Sequence, residues 1–127
     1  MNKIKLNDLE LKTFTEQDAL DYCQLNNINH LDIIELILSY NELIDISGIK
    51  LFKNLKFLFI GYNKIIDISI IKYLTNIEIL GIENLELNSS QINYINSCKN
   101  LKKLYCYKGF KNISVLQKIK NLLHIIK

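Results

Sequence analysis

The residues able to do chemistry are few and poorly placed for it. His30 and His124 are the only histidines in 127 residues, and neither has a cysteine or serine in a catalytic context. His30 precedes the regular part of the sequence, in a loop, and His124 lies on the last strand-like segment. Ser47, Ser69 and Ser114 recur because they occupy repeat positions. Asp8 and Glu10 share one face of an extended segment, but that face is exposed and offers no enclosed site for acid–base chemistry. No Gly-rich phosphate loop, HExxH or DxDxDG stands in the sequence. Cys23, Cys98 and Cys106 are odd in number and lack CxxC spacing, so they read as reduced thiols packed as small apolar groups. The sequence therefore predicts no catalytic, metal or cofactor site, and a protein that is not an enzyme.

Composition narrows the remaining classes. Hydrophobic residues make up 49% and charged residues 23%, a globular balance in a chain of single-domain length. Every basic residue is lysine, and the net charge is only +3. Lys99, Lys102, Lys103 and Lys108 could touch phosphates. With no arginine cluster or Gly-rich arm beside them, they read as a solvated face, which argues against nucleic acid. The start, MNKIKLNDLELK, scatters charge through its length and does not resemble a signal peptide. No stretch approaches the ~18 uncharged apolar residues of a membrane helix. The expected location is cytoplasmic, with no membrane contact.

The recognisable order is a repeat. Residues 33–54 read IIELILSYNELIDISGIKLFKN and residues 55–76 read LKFLFIGYNKIIDISIIKYLTN, two units of 22 that agree at every apolar position. Both carry a Tyr-Asn pair (Tyr40-Asn41, Tyr62-Asn63), an Asp-Ile-Ser triplet and a final Asn. A third unit spans 77–100, a fourth spans 101–121, and LLHIIK opens a fifth from Leu122. Pairs such as Leu36 and Leu38, Leu58 and Ile60, Leu80 and Ile82, and Leu104 and Cys106 alternate with period two. Each pair therefore marks a short strand with one inward face. A single such strand cannot bury that face. Stacked units form a parallel sheet, with the chain returning on the other side each time. The Asp-Ile-Ser segments supply the return and turn Ile46, Ile49, Ile68 and Ile71 inward. Asn41 and Asn63 can bind, through their side-chain amides, backbone groups released at the bend.

The repeated core LxxLxLxxNxL resembles the leucine-rich-repeat consensus. It is similar to the short class of about 22 residues found in bacterial internalins and in a eukaryotic regulator of a protein phosphatase. The match runs from Ile33 to the end and covers the first 32 residues loosely. Leu85 and Gly109 stand where the third and fourth units should have Asn, which puts the regularity of those turns in question. The resemblance implies an α/β fold: a right-handed solenoid with a concave parallel sheet and a convex side of irregular, 3-10 or short helical segments. One domain covers 1–127. Residues 1–32 form an N-terminal strand and capping helix, 33–121 four repeats, and 122–127 a terminal strand. In the first unit the strand core is read as Leu6, Leu9 and Leu11. A helix follows, with Thr15 as N-cap, Asp18 in its first turn, Ala19, Leu20 and Cys23 on one face, and Asn26-Asn27 as its stop. Ser89 or Ser90 caps a second short helix carrying Ile92, Ile95 and Cys98.

With the first consensus leucine as position one, positions three, five, seven and eight face solvent on the concave side. This gives Glu35, Phe57, Ile79, Lys103 and His124; Ile37, Phe59, Gly81, Tyr105 and Ile126; Ser39, Gly61, Glu83 and Tyr107; and Tyr40, Tyr62, Asn84 and Lys108. Counting the first unit from Leu6 adds Asp8, Glu10, Lys12 and Thr13, so that the face runs from acidic to basic. Aromatic side chains bury ~150–250 Å² each, so this centre exceeds the apolar patch of an ordinary monomer. An aromatic centre with charged margins is how protein-binding hot spots are built. The expected partner-binding residues are Glu35, Ile37, Tyr40, Phe57, Phe59, Tyr62, Ile79, Lys103, Tyr105 and Tyr107, and the expected partner is another protein. A small intracellular inhibitor of the immunity-protein kind is one concrete form. The alternatives are a structural or assembly role, or nucleic-acid binding by the Lys-rich C-terminal half. The assembly role would pair two copies through the open edge of the last strand, where Leu122 and Ile125 point inward.

Overall fold

The computed structural model describes residues 2–119 and 124–127. Six three-residue strands form one parallel sheet in sequence order: β1 (Lys3–Lys5), β2 (Glu35–Ile37), β3 (Phe57–Phe59), β4 (Ile79–Gly81), β5 (Lys103–Tyr105) and β6 (His124–Ile126). Parallel neighbours require a crossover of a dozen residues or more, and the repeat length supplies it. The middle residue of each strand turns inward, in the column Ile4, Leu36, Leu58, Leu80, Leu104 and Ile125. Leu36, Leu58, Leu80 and Leu104 are fully buried, and Ile125 packs partly buried against the same core. Leu122 lies outside the described residues.

The chain returns through short 3-10 turns at Ser47–Leu51, Ser69–Tyr73, Ser89–Gln91 and Ile113–Lys118. Ile46, Ile49, Ile68 and Ile71 are buried there, as the repeat requires. The Asp of the triplet has its own task. Asp45 Oδ1 accepts the Ser47 N–H at 2.9 Å and Asp67 Oδ1 the Ser69 N–H at 2.7 Å, so each carboxylate closes an Asx turn that leads the chain into the 3-10 segment. This is a right-handed leucine-rich-repeat solenoid with one continuous core.

The asparagine corners bind successive units together. Asn63 Oδ1 accepts the Leu43 N–H at 3.0 Å, and its Nδ2 donates to the Leu38 carbonyl at 3.1 Å and the Ile60 carbonyl at 3.0 Å. Asn41 does the same one unit earlier, accepting from Leu9 and Leu11 and donating to Leu6 and Leu38. Asn63→Ala is expected to destabilise the protein by about 1–3 kcal/mol, because it orphans part-buried backbone groups in two units. Urea unfolding measures this directly, and an unchanged midpoint would contradict the assigned role. The corners at Leu85 and Gly109 hold without an amide. Gly109 N–H donates to the Cys106 carbonyl at 2.7 Å, and Asn84 N–H to the Tyr107 carbonyl at 2.7 Å. The backbone thus keeps the turn regular where the sequence departs from the consensus.

The first unit corrects the sequence reading. Its strand is Lys3–Lys5, paired Lys3 to Glu35, Ile4 to Leu36 and Lys5 to Ile37, and not the Leu6–Leu11 segment. Leu9 is 53% exposed, and Asp8 and Glu10 both have a φ of 58°, which ends a strand. Two frames with leucine-like spacing compete here. Only the observed one buries Phe14, which lies 6.2 Å from the Phe52 ring; the other would put Phe14 at the asparagine corner.

Helix α1 (Glu16–Leu25) begins as the sequence implies, with a reciprocal capping box. Asp18 N–H donates to Thr15 Oγ1 at 3.1 Å, and Thr15 N–H donates to Asp18 Oδ2 at 2.9 Å. The backbone hydrogen bond from Thr15 holds the Asp18 carboxyl below its usual range, opposed by partial desolvation. Ala19 and Cys23 are buried, but Leu20 is 42% exposed and does not share their face. α1 packs on the Ser47–Leu51 turn. A Cβ on Gly48 would run into the Thr15 carbonyl. The next repeat, whose turn follows the 3-10 turn Ser47–Leu51 rather than a helix, carries Ile70 at the matching position. Gly48→Ala is therefore expected to cost about 1–3 kcal/mol with loss of helical signal from α1, read by denaturation and far-ultraviolet circular dichroism. Wild-type values for both would refute the close approach.

Helix α2 (Ile92–Ser97) buries Ile92 and Ile95, with Cys98 just beyond it. Neither Ser89 nor Ser90 caps it: Gln91 precedes α2 and makes no side-chain cap. Gln91 Oε1 instead accepts the Ile68 N–H at 2.8 Å, tying this unit to the one before it.

Candidate protein-binding face

The sheet register places Lys3, Glu35, Phe57, Ile79, Lys103 and His124 in one outward row, and Lys5, Ile37, Phe59, Gly81, Tyr105 and Ile126 in the next. These side chains flank buried middle residues, and pleating alone turns them to the concave solvent side. Tyr40 and Tyr62 follow at the corners, and Tyr107 stands one position before its corner residue, Lys108. All ten residues singled out from the sequence therefore share this face. Tyr40 and Tyr107 are more than half exposed. The other eight are half-buried because strand neighbours 4.7–4.9 Å apart cover one another.

The corner geometry is specific. Asp8, Tyr40, Tyr62, Asn84 and Lys108 occupy equivalent places, each with φ between 53° and 59°. Asp and Asn tolerate the left-handed region; tyrosine does so poorly. Yet Tyr40 and Tyr62 stand there with rings stacked at 4.4 Å and 5° between planes. Desolvation raises the Tyr62 phenol above its ordinary pKa, with smaller contributions from Tyr40, Glu83 and Tyr107, so it stays a neutral hydrogen-bonding group. Phe59 and Tyr105 approach to 6.4 Å across the Gly81 strand. Lys103 Nζ lies 4.9 Å from the Tyr105 ring centre, and Lys108 Nζ 5.5 Å from that of Tyr107.

The charge layout differs from the acidic-to-basic gradient read in the sequence. With β1 at Lys3–Lys5, the first unit contributes Lys3 and Lys5 to the strand rows; Asp8 moves to the corner column, and Glu10 leaves the face. Lysines thus flank both ends, and two carboxylates sit between them. Glu35 pairs with Lys3 at 3.5 Å. Glu83, which the sequence reading placed on this face without a role, lies across Gly61 and Gly81: a Cβ there would come 2.7 Å and 2.9 Å from its Oε1. Glycines in adjacent units beside an outward carboxylate were the signal for it.

Other polar and reactive side chains have local partners or are buried. His30 Nδ1 contacts the Leu51 carbonyl at 3.0 Å. Burial pushes the thiols of Cys23 and Cys106 up, and that of Cys98 up to about 11, away from nucleophilic character. Lys102 pairs with Glu78 at 3.2 Å. Among the described residues no His, Cys, Asp or Glu group could hold a metal ion, and no helix is long and apolar enough to cross a membrane.

No protein-family model and no curated protein sequence matches the chain. Solved structures do. An internalin (inlF) from Listeria monocytogenes superposes with a TM-score of 0.77 at 22% identity, over 98% of this chain and 34% of that one. Internalin C2 (inlC2) from the same organism gives 0.74 at 19% identity, over 98% of this chain and 50% of that one. The chain thus spans between a third and a half of the length of these structures. It has the leucine-rich-repeat fold of the internalins.

Proposed function

We propose that this chain is a protein-binding module that engages its partner through the concave face around Tyr40, Phe59 and Tyr62. One observation carries the reading: two tyrosines stack in a backbone conformation that disfavours them. Left-handed non-glycine residues cost of order 1–3 kcal/mol each, and Asp or Asn would fill the corners more easily, as in the first and third units. Side chains kept against such a preference are kept for what they touch. Stacked phenols, flanking phenylalanines and charged margins make up the anchor-and-rim composition of a protein interface. The functional form this suits is an inhibitor that covers its partner's surface.

The experiment is co-purification from the native host with three baits: wild type, Tyr40→Ala with Tyr62→Ala, and Tyr73→Ala on the convex side. A protein retained by the first and third but lost from the second supports the proposal. Equal retention by all three contradicts it.

A further inference from the structure

We propose that the concave hollow bordered by Glu83 takes an arginine side chain of the partner, its stem along Ile37 and Phe59 and its guanidinium against the Glu83 carboxylate. This rests on the reading of the concave face as the interface and names what that interface selects. The hollow is open and about 410 Å³, lined by Glu35, Ile37, Tyr40, Phe59, Tyr62 and Glu83 among others. Its two carboxylates are not equivalent. Glu35 already holds Lys3. Glu83 makes no ion pair and no side-chain hydrogen bond among the described residues. Two cationic side chains of the same face, Lys103 and Lys108, lie over tyrosine rings.

A partner docked here strips water from a half-buried, unpaired carboxylate. An unpaired buried charge is strongly unfavourable, so a fitting partner must bring a cation to this point. The surroundings select the kind. Apolar walls at Ile37 and Phe59 suit an aliphatic stem, and the flat faces of Tyr62 and Phe59 suit a flat head. A planar guanidinium offers two parallel N–H donors to one carboxylate and stacks on rings, whereas an ammonium remains a hydrated point charge. Gly61 and Gly81 leave the space in which the Glu83 head lies, and any larger residue at either would displace it.

The test uses three blocked tripeptides, Leu-Arg-Leu, Leu-Lys-Leu and Leu-Gln-Leu, titrated into the isotope-labelled full chain while amide shifts are followed. The arginine peptide is expected to shift Gly61, Gly81 and Glu83 with a Kd near ~1 mM. The lysine peptide should bind more weakly. Replacing arginine by glutamine, or introducing Glu83→Gln, should each weaken binding about tenfold. Glu86→Gln, a change at an exposed carboxylate away from the hollow, should leave it unchanged. Thermal melts establish that Glu83→Gln remains folded. If concave amides shift equally with all three peptides, or are indifferent to Glu83→Gln, the arginine subsite is wrong while the concave interface stands. No shift on concave residues at ~10 mM peptide also overturns the subsite, and the co-purification above then decides the interface independently.

Discussion

Leu80→Ala is expected to destabilise the protein by about 2–5 kcal/mol, with a fall in melting temperature on the order of 10 °C. Leu80 is fully buried at the centre of the sheet, between Leu58 and Leu104 in the inward column. Packing there is contributed by three successive units, so the cavity opens at the joint between neighbours. In a solenoid that joint is the main source of stability, since each unit contacts only those beside it. The adjacent Ile79 points outward and is half-buried, so Ile79→Ala should cost much less. Similar losses for the two variants would mean that the strand face is inverted.

The second large effect concerns binding. Phe59→Ala is expected to weaken partner affinity by at least ~2 kcal/mol, a hot-spot loss, while leaving the melting temperature close to wild type. Phe59 sits between Ile37 and Gly81 in the outward row and leans on Tyr105. Removing it takes apolar area from the centre of the face and nothing from the core. Calorimetric titration of the co-purified partner against both proteins gives the number. Loss of folding in Phe59→Ala would show that the ring belongs to the core. Unchanged affinity would move the interface elsewhere.

Most of the fold was legible because the repeat states it several times over. Where Leu58, Ile60, Asn63 and Ile68 recur at 22-residue intervals, each assignment checks the others, and the structure follows them. Legibility failed where that redundancy failed. The first unit has no corner asparagine, and its leucines fit two frames; burial of Phe14 under α1 decides between them, a long-range contact that no local pattern encodes. Leu20 was misplaced because the periodicity of a short helix does not say how far the buried stripe extends. The concave rows could be written down from the register alone. The weight of Glu83 could be read only in part: Gly61 and Gly81 stand in the sequence, but which neighbouring lysines are already engaged does not.

The most direct test of the central claim is site-specific photo-cross-linking in the native host. A photoreactive phenylalanine analogue is placed at Phe57 on the concave face and, in a separate protein, at Ile66, which is 79% exposed and lies away from that face. A discrete cross-linked protein is expected from position 57, competed away by unlabelled wild type, and none from position 66. A cross-link from position 66 with none from 57 would contradict the claim.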